Sequence, residues 1–453
     1  MNIQPTTREA YWLFHEGQRV LSRIEQHGIL IDRKKAESGK LHLTRQIDRM
    51  QKKLEDYPEV REWKRIYGNK FNPNSDAQLR HILFEVLKLK STSLTKGGKA
   101  QVSKAVLQDI DLPFIQDMME ISKLRTVRDT FLSSIIREAD DDDLIHPNFG
   151  LTNVSTFRGS ADHPNFQNMP IRDPVQSAPI RQLIIPREGF QIGEADCSGV
   201  EVRIAATYHH DPTMLEYLRD DSTDMHRDTA MECFLLDQEQ VTKEIRYCAK
   251  NMFVFPQFYG DWYKTCAETL WKAVKRMRLT TEDGIPLYDH LTEQGIKSLA
   301  KFESHIEDVE DRFWNEWFPV YTQWKKDWYA QYLRDGYFIT KTGFRIAGEL
   351  GKNQVINFPI QGDAFHCLLQ ALIWVSDTLE KEQWQTHLLG QIHDSMVSEI
   401  HPTELEDFYH LVEDNICHRL PEEWTWINVP MKFDMEVAPV GKSWFEKKEY
   451  KPK

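Results

Sequence analysis

The stretch Arg246-Tyr-Cys-Ala-Lys-Asn-Met-Phe-Val-Phe-Pro-Gln-Phe-Tyr-Gly260 lines up cations and aromatic rings along one segment. Arg246 and Lys250 are four residues apart, so on a helix they share a face. Cations backed by aromatic rings suit a nucleoside triphosphate, because the phosphates need charge and the base needs a flat apolar surface. An ordinary amphipathic helix with a solvated basic face explains the same pattern, so other segments must decide.

Two distant segments each place an aspartate at the end of a predicted strand. Asp196 follows the apolar alternation of residues 190–195 and precedes a helical pattern over residues 202–208. Asp394 stands in a polar turn between two short strands within residues 391–399. One such aspartate is usually a turn or cap residue. Two of them beside a cationic helix indicate a pair of Mg²⁺ ions about 3.5–4 Å apart that assist in-line phosphoryl transfer.

Four segments in order resemble the motifs of the family A DNA polymerases, the class of bacterial DNA polymerase I and many phage replicases. Residues 196–203 resemble motif A, residues 246–260 motif B, and residues 391–399 motif C. Residues 156–170 are similar to the family's T-x-R-x-S-x-x-x-P-N-x-Q-N-x-P segment. The resemblance extends from about Gly28 to Trp444 and implies a template-directed DNA polymerase. Its partners would be primer-template DNA and deoxynucleoside triphosphates, with a separate exonuclease or other replisome proteins as further candidates.

The resemblance also implies an α+β fold shaped like a right hand, with a small antiparallel palm sheet, helical fingers and a thumb. We expect the thumb and N-terminal helices in residues 1–145, the first palm part with motif A in 146–225, the fingers with motif B in 226–335, and the second palm part with motif C in 336–453. The tryptophans of residues 260–335 are predicted to belong to the core rather than to a base-stacking platform.

By the same resemblance, Asp196 and Asp394 would bind both Mg²⁺ ions, with Mn²⁺ as a substitute. One ion would lower the pKa of the primer 3′-hydroxyl, and the other would stabilise the triphosphate and the departing pyrophosphate. Arg246, Lys250 and His226 would bind the phosphates. Lys250 would also donate charge or a proton to the leaving group.

Further residues receive roles in base and sugar selection. Glu201 matches the family's steric gate, whose side chain lies where a ribose 2′-hydroxyl would fall. Phe255 and Tyr259 would stack on the incoming base and on the template. The minor-groove acceptors are present on every base pair, so contacts there test pair shape and not sequence. The residues expected to contact the primer and template are Arg158, Asn168, Asn357, Gln361 and His393.

Motif B departs from the family pattern by one inserted residue. In the family the lysine and the stacking aromatic are four apart, whereas Lys250 and Phe255 are five apart. Pro256 also lacks an N–H and would clash with the carbonyl of Met252 in a regular helix. A π-bulge near Met252 to Phe255 would absorb both problems. The alternative register uses Phe253, but Phe255 keeps the four-residue spacing to Tyr259.

Two positions near the aspartates also depart from the family. Ser395 stands where the family usually has a glutamate after the motif C aspartate, which predicts altered metal affinity or rate without loss of activity. Asp363 stands where the family commonly has Thr or Ser after Gln-Gly, so it adds a carboxylate. Whether Asp363 compensates for Ser395 is left open by the sequence.

Charge is distributed unevenly along the chain of 453 residues. The net charge is −13, but residues 1–137 carry 25 Lys and Arg against 17 Asp and Glu, which suits contact with phosphates. A charged helical surface without a ligand explains that portion as well. The six cysteines show no C-x-x-C spacing, which predicts reduced thiols. With no apolar signal core, we expect a cytoplasmic protein, in the host cytoplasm if the source is a phage.

The thumb resemblance begins within the first ~30 residues, so we expect no 3′-5′ exonuclease domain in this chain. This feature and the unusual motif B favour a phage or other mobile element as the source. A single-subunit RNA polymerase is disfavoured by Glu201, and a catalytically dead replisome scaffold is disfavoured by the presence of both Asp196 and Asp394.

Overall fold

The computed structural model describes residues 4–91, 93–95, 97–171 and 173–452. In the amino-terminal part, the helices span Arg8–His27, Arg33–Leu54, Pro58–Tyr67, Asp76–Arg80, Lys104–Gln108, Pro113–Arg125, Ser133–Glu138 and Pro174–Arg181. They continue with Val200–His209, Pro212–Arg219, Met225–Phe234, Lys243–Ala249, Phe255–Phe258, Tyr263–Arg276, Leu287–Glu293, Leu299–Arg312, Pro319–Asp335, Lys352–Lys381, Leu405–Glu413 and Leu420–Glu423. Segments of π-helix join or extend several of these at His81–Val86, Thr126–Leu132, Lys250–Val254, Phe313–Trp317 and Asp414–Arg419.

The strands are fewer and shorter than the helices. They span Gln4–Pro5, Ile29–Leu30, Leu144–Ile145, Asn148–Gly150, Ser160–Asp162, Gln191–Cys197, Tyr337–Ile339, Phe344–Ala347, His387–Ile392, Ser395–Ile400, Phe433–Val437 and Lys448–Glu449. Helices therefore dominate around small sheets, and the predicted α+β fold is confirmed.

The largest sheet has five strands and is antiparallel throughout. Its order is Lys448–Glu449, Phe433–Val437, Gln191–Cys197, Ser395–Ile400 and His387–Ile392. We call this the central sheet. Its middle strand, Gln191–Cys197, carries Asp196. The strands on either side of it, Phe433–Val437 and Ser395–Ile400, come from the carboxyl-terminal part of the chain. The predicted small antiparallel sheet is therefore confirmed, and it brings together segments about 200 residues apart.

The helix Lys352–Lys381, called the long helix below, begins earlier than the sequence predicts. The sequence predicts a helix over residues 364–379 that is opened by residues 357–362. Pro359 has no N–H to donate and disfavours a helix interior. The structure keeps Pro359 inside the helix. The indole Nε1 of Trp328 donates to the carbonyl of Val355 at 3.0 Å, which is the acceptor that Pro359 leaves without its usual partner. A tertiary contact therefore offsets the helix-breaking residue.

The amino-terminal helix packs on the carboxyl-terminal half of the chain. Arg8–His27 lies against the long helix, and a Cβ at Gly17 would come within 2.9 Å of a Leu369 methyl, so glycine permits the close approach. In contrast, the helix Arg33–Leu54 packs against Pro113–Arg125. The segment 1–145 thus contains two packing units, and its predicted thumb boundary stays a prediction.

The tryptophans of residues 260–335 mostly follow the prediction of core packing. Trp271 is buried, while Trp324 and Trp328 stack at 5.7 Å and pack against the core. Trp262 is the exception, since it is 54% exposed at the start of the helix Tyr263–Arg276. A tryptophan preceding a helix lies outside the apolar stripe that the helix buries, and the core prediction was wrong there.

Two further observations concern the cysteines and the apolarity of the helices. All six cysteines fall within described residues and are unpaired, five of them buried. Within the described ranges, no helix combines the length and apolarity that crossing a membrane requires.

Candidate active site

A two-residue loop, His393–Asp394, joins the last two strands of the central sheet. His393 adopts a φ of 50°, which lets the chain reverse within two residues. The backbone N–H of Cys197 donates to the carbonyl of Asp394 at 2.9 Å, and Asp196 lies opposite Ser395 in the ladder. Both predicted aspartates therefore sit at the same end of adjacent strands, in positions set by backbone hydrogen bonds.

The electrostatics of this pair favour a bound cation. Partial burial, together with the carboxylates of Asp394, Glu194 and Asp434, raises the pKa of Asp196 to about 7. Burial raises the pKa of Asp394 to about 6, although Arg158 opposes the shift. The Oδ1 atom of Asp394 is buried without a hydrogen-bond partner, and the Arg158 guanidinium lies 3.7 Å from it.

These observations bear on the expected metal ions. A buried carboxylate oxygen without a donor is a vacant oxygen ligand, and Mg²⁺ in such sites binds one or two carboxylates while phosphates and water supply the rest. No group of three or more His, Cys, Asp or Glu in the described part of the chain has a geometry suited to a metal ion. The two aspartates can therefore supply carboxylate ligands to an ion whose other positions are filled by water or by phosphate oxygens.

The predicted π-bulge in motif B is confirmed. A π-helical turn covers Lys250–Val254, and the N–H of Phe255 donates to the carbonyl of Lys250, five residues back. The extra residue rotates Phe255 to the same side as Lys250, so that the ammonium lies 5.3 Å from the ring centroid. Phe253 is fully buried and packs edge-on against Phe313. The geometry therefore favours Phe255 over Phe253 as the residue that faces the aspartates.

A cavity of about 430 Å³ lies between the central sheet and the motif B helix. Ten of the predicted site residues line it, from five separate parts of the chain: Arg158, Asp196, Glu201, Lys250, Phe255, Tyr259, Asn357, Gln361, His393 and Asp394. The long helix reaches the cavity because Gly362 allows it to touch the backbone of residue 156, whose carbonyl would lie 2.6 Å from an added Cβ.

Glu201 is held on both sides inside this cavity. It stands in the first turn of the helix Val200–His209. Its Oε1 accepts from Arg158, and its Oε2 accepts from the Tyr259 hydroxyl. Burial and the neighbouring Glu201 carboxylate raise the pKa of Tyr259, so the tyrosine remains a hydrogen-bond donor. The carboxylate is therefore fixed in direction rather than free to rotate.

Three predicted residues do not line the cavity. Arg246 forms a two-pronged ion pair with Asp224, with Nε to Oδ2 at 2.6 Å and Nη2 to Oδ1 at 3.1 Å. His226 packs edge-on against Phe255 at 5.8 Å. Burial, with Lys250 and Arg246 nearby, lowers the pKa of His226 to about 4, so the imidazole is neutral. Asn168 is exposed in the short helix Phe166–Asn168.

Asp224 is a site residue that sequence reasoning missed. Its Oδ1 caps the helix Met225–Phe234 by accepting from the N–H groups of His226 and Arg227, while both carboxylate oxygens accept from Arg246. An aspartate before a helix is an ordinary capping residue. Its position two residues before His226 was the only available signal.

The structure resolves the question that the sequence left open at Asp363. This carboxylate is fully buried and accepts from the N–H groups of Lys341 and Thr342 and from the Tyr208 hydroxyl. It joins the long helix to the loop after Tyr337–Ile339 and does not line the cavity. Asp363 therefore does not replace the glutamate that is absent at Ser395.

The chain as a whole is similar to known DNA polymerases. A family model of DNA polymerase family A matches residues 40–446. The chain is 26% identical to the thermostable DNA polymerase I of Thermus filiformis, over 99% of this chain and 50% of the relative. It is 28% identical to DNA polymerase I of Bacillus subtilis (strain 168), over 95% of this chain and 45% of the relative. The chain thus spans about half the length of the curated relatives it matches.

A solved structure shares the fold. It is the POL domain of Pol1 from M. smegmatis in complex with DNA primer-template and dNTP, with a TM-score of 0.73 at 24% identity, over 95% of this chain and 70% of that chain. The predicted family is confirmed by the family model, which matches residues 40–446 of the 453. The chain belongs to DNA polymerase family A.

Proposed function

We propose that this chain is a DNA-directed DNA polymerase, a nucleotidyltransferase that adds deoxynucleotides to the 3′ end of a primer on a DNA template. The observation that carries the proposal is that one cavity is lined both by the paired aspartates and by Lys250 and Phe255. Acidic groups for metal ions, a cation for phosphates and a ring for a base are the parts that nucleotidyl transfer requires.

Asp196 and Asp394 are proposed to hold two Mg²⁺ ions, with Mn²⁺ as a substitute. When bound, such ions activate the attacking hydroxyl and neutralise charge on the triphosphate. The unpartnered Oδ1 of Asp394 is the ligand atom best supported by the structure. Asp196 lies on a strand and Asp394 lies in the loop before the neighbouring strand, where its carbonyl accepts from the Cys197 N–H, so the two carboxylates would meet the ions already in position.

Lys250 is proposed to contact the phosphates and to stabilise the leaving group. Burial and the nearby Arg246 lower its pKa, which makes the ammonium a better proton donor than an exposed lysine. Arg246 would reach the phosphates only by exchanging the Asp224 carboxylate for a phosphate, since both are bidentate acceptors for a guanidinium. His226, neutral in this state, would contribute a hydrogen bond and not a charge.

Glu201 is proposed as the gate against ribonucleotides. Its carboxylate, tied to Arg158 and Tyr259, would occupy the space of a 2′-hydroxyl and leave it no free acceptor. Phe255 and Tyr259 are proposed to stack on the incoming base and on the template. Since Tyr259 also donates to Glu201, movement of the template would be coupled to the gate.

The proposed partners are primer-template DNA and deoxynucleoside triphosphates. Arg158, Asn357, Gln361 and His393 line the cavity and would contact the DNA, while the exposed Asn168 would contact it outside the cavity. The thumb, palm and fingers assignments of the sequence analysis are retained as part of this proposal. The cytoplasm, or that of a host cell, is the proposed location because the template and the nucleotides are present there.

Primer extension with deoxynucleotides and, separately, ribonucleotides tests the proposal. A labelled primer annealed to a longer template should lengthen with deoxynucleotides and Mg²⁺, and at least tenfold more slowly with ribonucleotides. Extension that prefers ribonucleotides would favour an RNA polymerase. Binding of the DNA with no extension in either mixture would favour a scaffold.

A further inference from the structure

A buried ionic cluster lies directly behind the two aspartates. Its centre is Glu194, which precedes Asp196 by two residues on the same strand and therefore points to the same face of the central sheet. Glu194 is only 8% exposed. The residues with proposed roles in the reaction do not include Glu194.

Glu194 joins three segments of the chain. Its Oε1 accepts from the Ser395 hydroxyl at 3.0 Å, and its Oε2 accepts from the indole of Trp444 at 2.9 Å. The ammonium of Lys447 lies 2.7 Å from the same Oε2. Ser395 immediately follows Asp394, whereas Trp444 and Lys447 belong to the carboxyl-terminal segment. The cluster thus connects the strand of Asp196, the loop of Asp394 and the end of the chain.

The charges of this cluster are balanced within it. Lys447 also pairs with Glu436, and the Arg181 guanidinium lies 3.9 Å from Glu194 and 3.8 Å from the Trp444 ring. A buried carboxylate costs several kcal/mol unless it is paired and hydrogen-bonded. Apolar side chains would fill this space without the cost of burying charges. The ionic network therefore calls for an explanation other than stability.

Ser395 is the only link from Glu194 to the loop of Asp394 among the described contacts. Its buried hydroxyl has one hydrogen, which it can donate to Glu194 Oε1 or to the Ile392 carbonyl at the other end of the loop His393–Asp394, each 3.0 Å away. A glutamate at position 395 would place a second carboxylate against Glu194, with Lys447 already shared between two. Ser395 and Glu194 therefore form a matched pair.

We propose that Glu194 is a positioning residue for the metal-binding aspartates, acting through Ser395 to hold Asp394 at a set distance from Asp196. This inference rests on the proposed function. The carboxyl-terminal segment, through Trp444 and Lys447, keeps Glu194 in place.

Four variants of the full chain test the inference: Ser395→Ala, Ser395→Glu, the double variant Glu194→Ser/Ser395→Glu, and Ser398→Ala as the control. Ser398 lies on the same strand, is equally buried and has a hydroxyl without a partner, so its loss removes a hydroxyl but no link. Mn²⁺ binding by the protein alone is followed by electron paramagnetic resonance. Primer extension and thermal melting are measured on the same samples.

Ser395→Ala should weaken Mn²⁺ binding about tenfold, because outer residues that orient metal ligands typically contribute 10–100-fold to affinity. It should raise the Mn²⁺ concentration for half-maximal extension by a similar factor, while Ser398→Ala changes neither. Ser395→Glu should weaken binding further, and the double variant should recover to within about fivefold of the natural chain.

Equal Mn²⁺ affinities for Ser395→Ala and Ser398→Ala would overturn the inference, as would a double variant no better than Ser395→Glu. Ser395→Ala alone keeps the test decisive if the glutamate variants do not fold. Failure of the natural chain to extend a primer would instead remove the proposed function, an outcome that the Mn²⁺ measurements on the protein alone keep distinct.

Discussion

The central sheet and the motif B helix face each other across one cavity, but they present their side chains in different ways. Asp196 lies on a strand and Asp394 in the loop that precedes the paired strand, and the Cys197–Asp394 hydrogen bond holds the two together. Lys250 and Phe255 lie on a helix interrupted by a π turn. Arg246, one turn earlier, is engaged by Asp224 outside the cavity.

This difference distinguishes the aspartates, whose positions are fixed, from the cations of the helix, which must exchange protein contacts for phosphates. The aspartates cannot separate without breaking the ladder of a sheet, so a metal pair would meet a preformed site. The cations of the helix have alternative protein partners, which a triphosphate would have to replace. We therefore expect changes in the sheet to act on catalysis, and changes in the helix to act on nucleotide binding and selection as well.

The largest effect is expected from the sheet. Asp196→Asn or Asp394→Asn should reduce primer extension to below ~1% with saturating Mg²⁺, because each removes a proposed ligand of the metal pair. Affinity for duplex DNA should stay within a few-fold, since it depends on cationic contacts elsewhere. Asp434→Asn is the matched control, because Asp434 lies opposite Asp196 on the other neighbouring strand. Activity above ~1% in either variant would remove that aspartate from the proposed site.

On the helix, Lys250→Ala should lower kcat about 100-fold, the size typical of a lost general acid or transition-state cation. Arg246→Ala should act mainly by raising KM for the nucleotide, because Arg246 begins outside the cavity. Single-nucleotide incorporation under steady-state conditions separates the two constants. A kcat loss for Arg246→Ala as large as that for Lys250→Ala would show that both cations act in the transition state, contrary to the structure.

Two substitutions at the gate are expected to weaken the selection against ribonucleotides by different amounts. Glu201→Ala should raise the ratio of ribonucleotide to deoxynucleotide kcat/KM by at least tenfold, because it opens the space of a 2′-hydroxyl. Tyr259→Phe should raise the same ratio by less, since it removes one of two groups that orient the carboxylate. An unchanged ratio in Glu201→Ala would disprove the gate assignment.

The two registers of motif B predict different results for tyrosine substitutions at Phe255 and at Phe253. Both effects are expected to be smaller than that of the gate. Phe255→Tyr should ease incorporation of dideoxynucleotides several-fold, because the added hydroxyl would lie in the cavity and could stand in for the missing 3′-hydroxyl. Phe253→Tyr should instead cost about 1–3 kcal/mol of stability, since its hydroxyl would be buried against Phe313. Dideoxynucleotide terminations and urea unfolding measure the two. Easier termination in Phe253→Tyr would restore the alternative register.

The smallest effect concerns the long helix, which brings Asn357 and Gln361 to the cavity between the two regions. Trp328→Phe should destabilise the fold by about 1–2 kcal/mol, because the Val355 carbonyl opposite Pro359 loses its donor. Trp324→Phe is the control, as its ring packs beside Trp328. Equal unfolding midpoints for the two variants would show that water satisfies the carbonyl.

Much of the site could be predicted because it lies in local patterns. The alternation before Asp196 and the turn at His393–Asp394 predicted strands that end in carboxylates, and both occur. The extra residue between Lys250 and Phe255, together with Pro256, predicted the π turn, because only such a turn reconciles their spacing with a helix. Resemblance to family motifs supplied the roles, which local patterns do not encode.

The sequence by itself determined the family, the elements that carry Asp196, Asp394 and Lys250, and the register that points Phe255 toward them. Only the tertiary structure decided the partners of the charged groups: Asp224 for Arg246, the Lys341–Thr342 backbone for Asp363, and Ser395 for Glu194. It also decided that Pro359 stays within a helix, through Trp328. The physical reason is that periodicity and turn preference act between residues close in sequence, whereas a buried charge or an unpaired carbonyl is satisfied by whichever group the fold brings within about 3 Å.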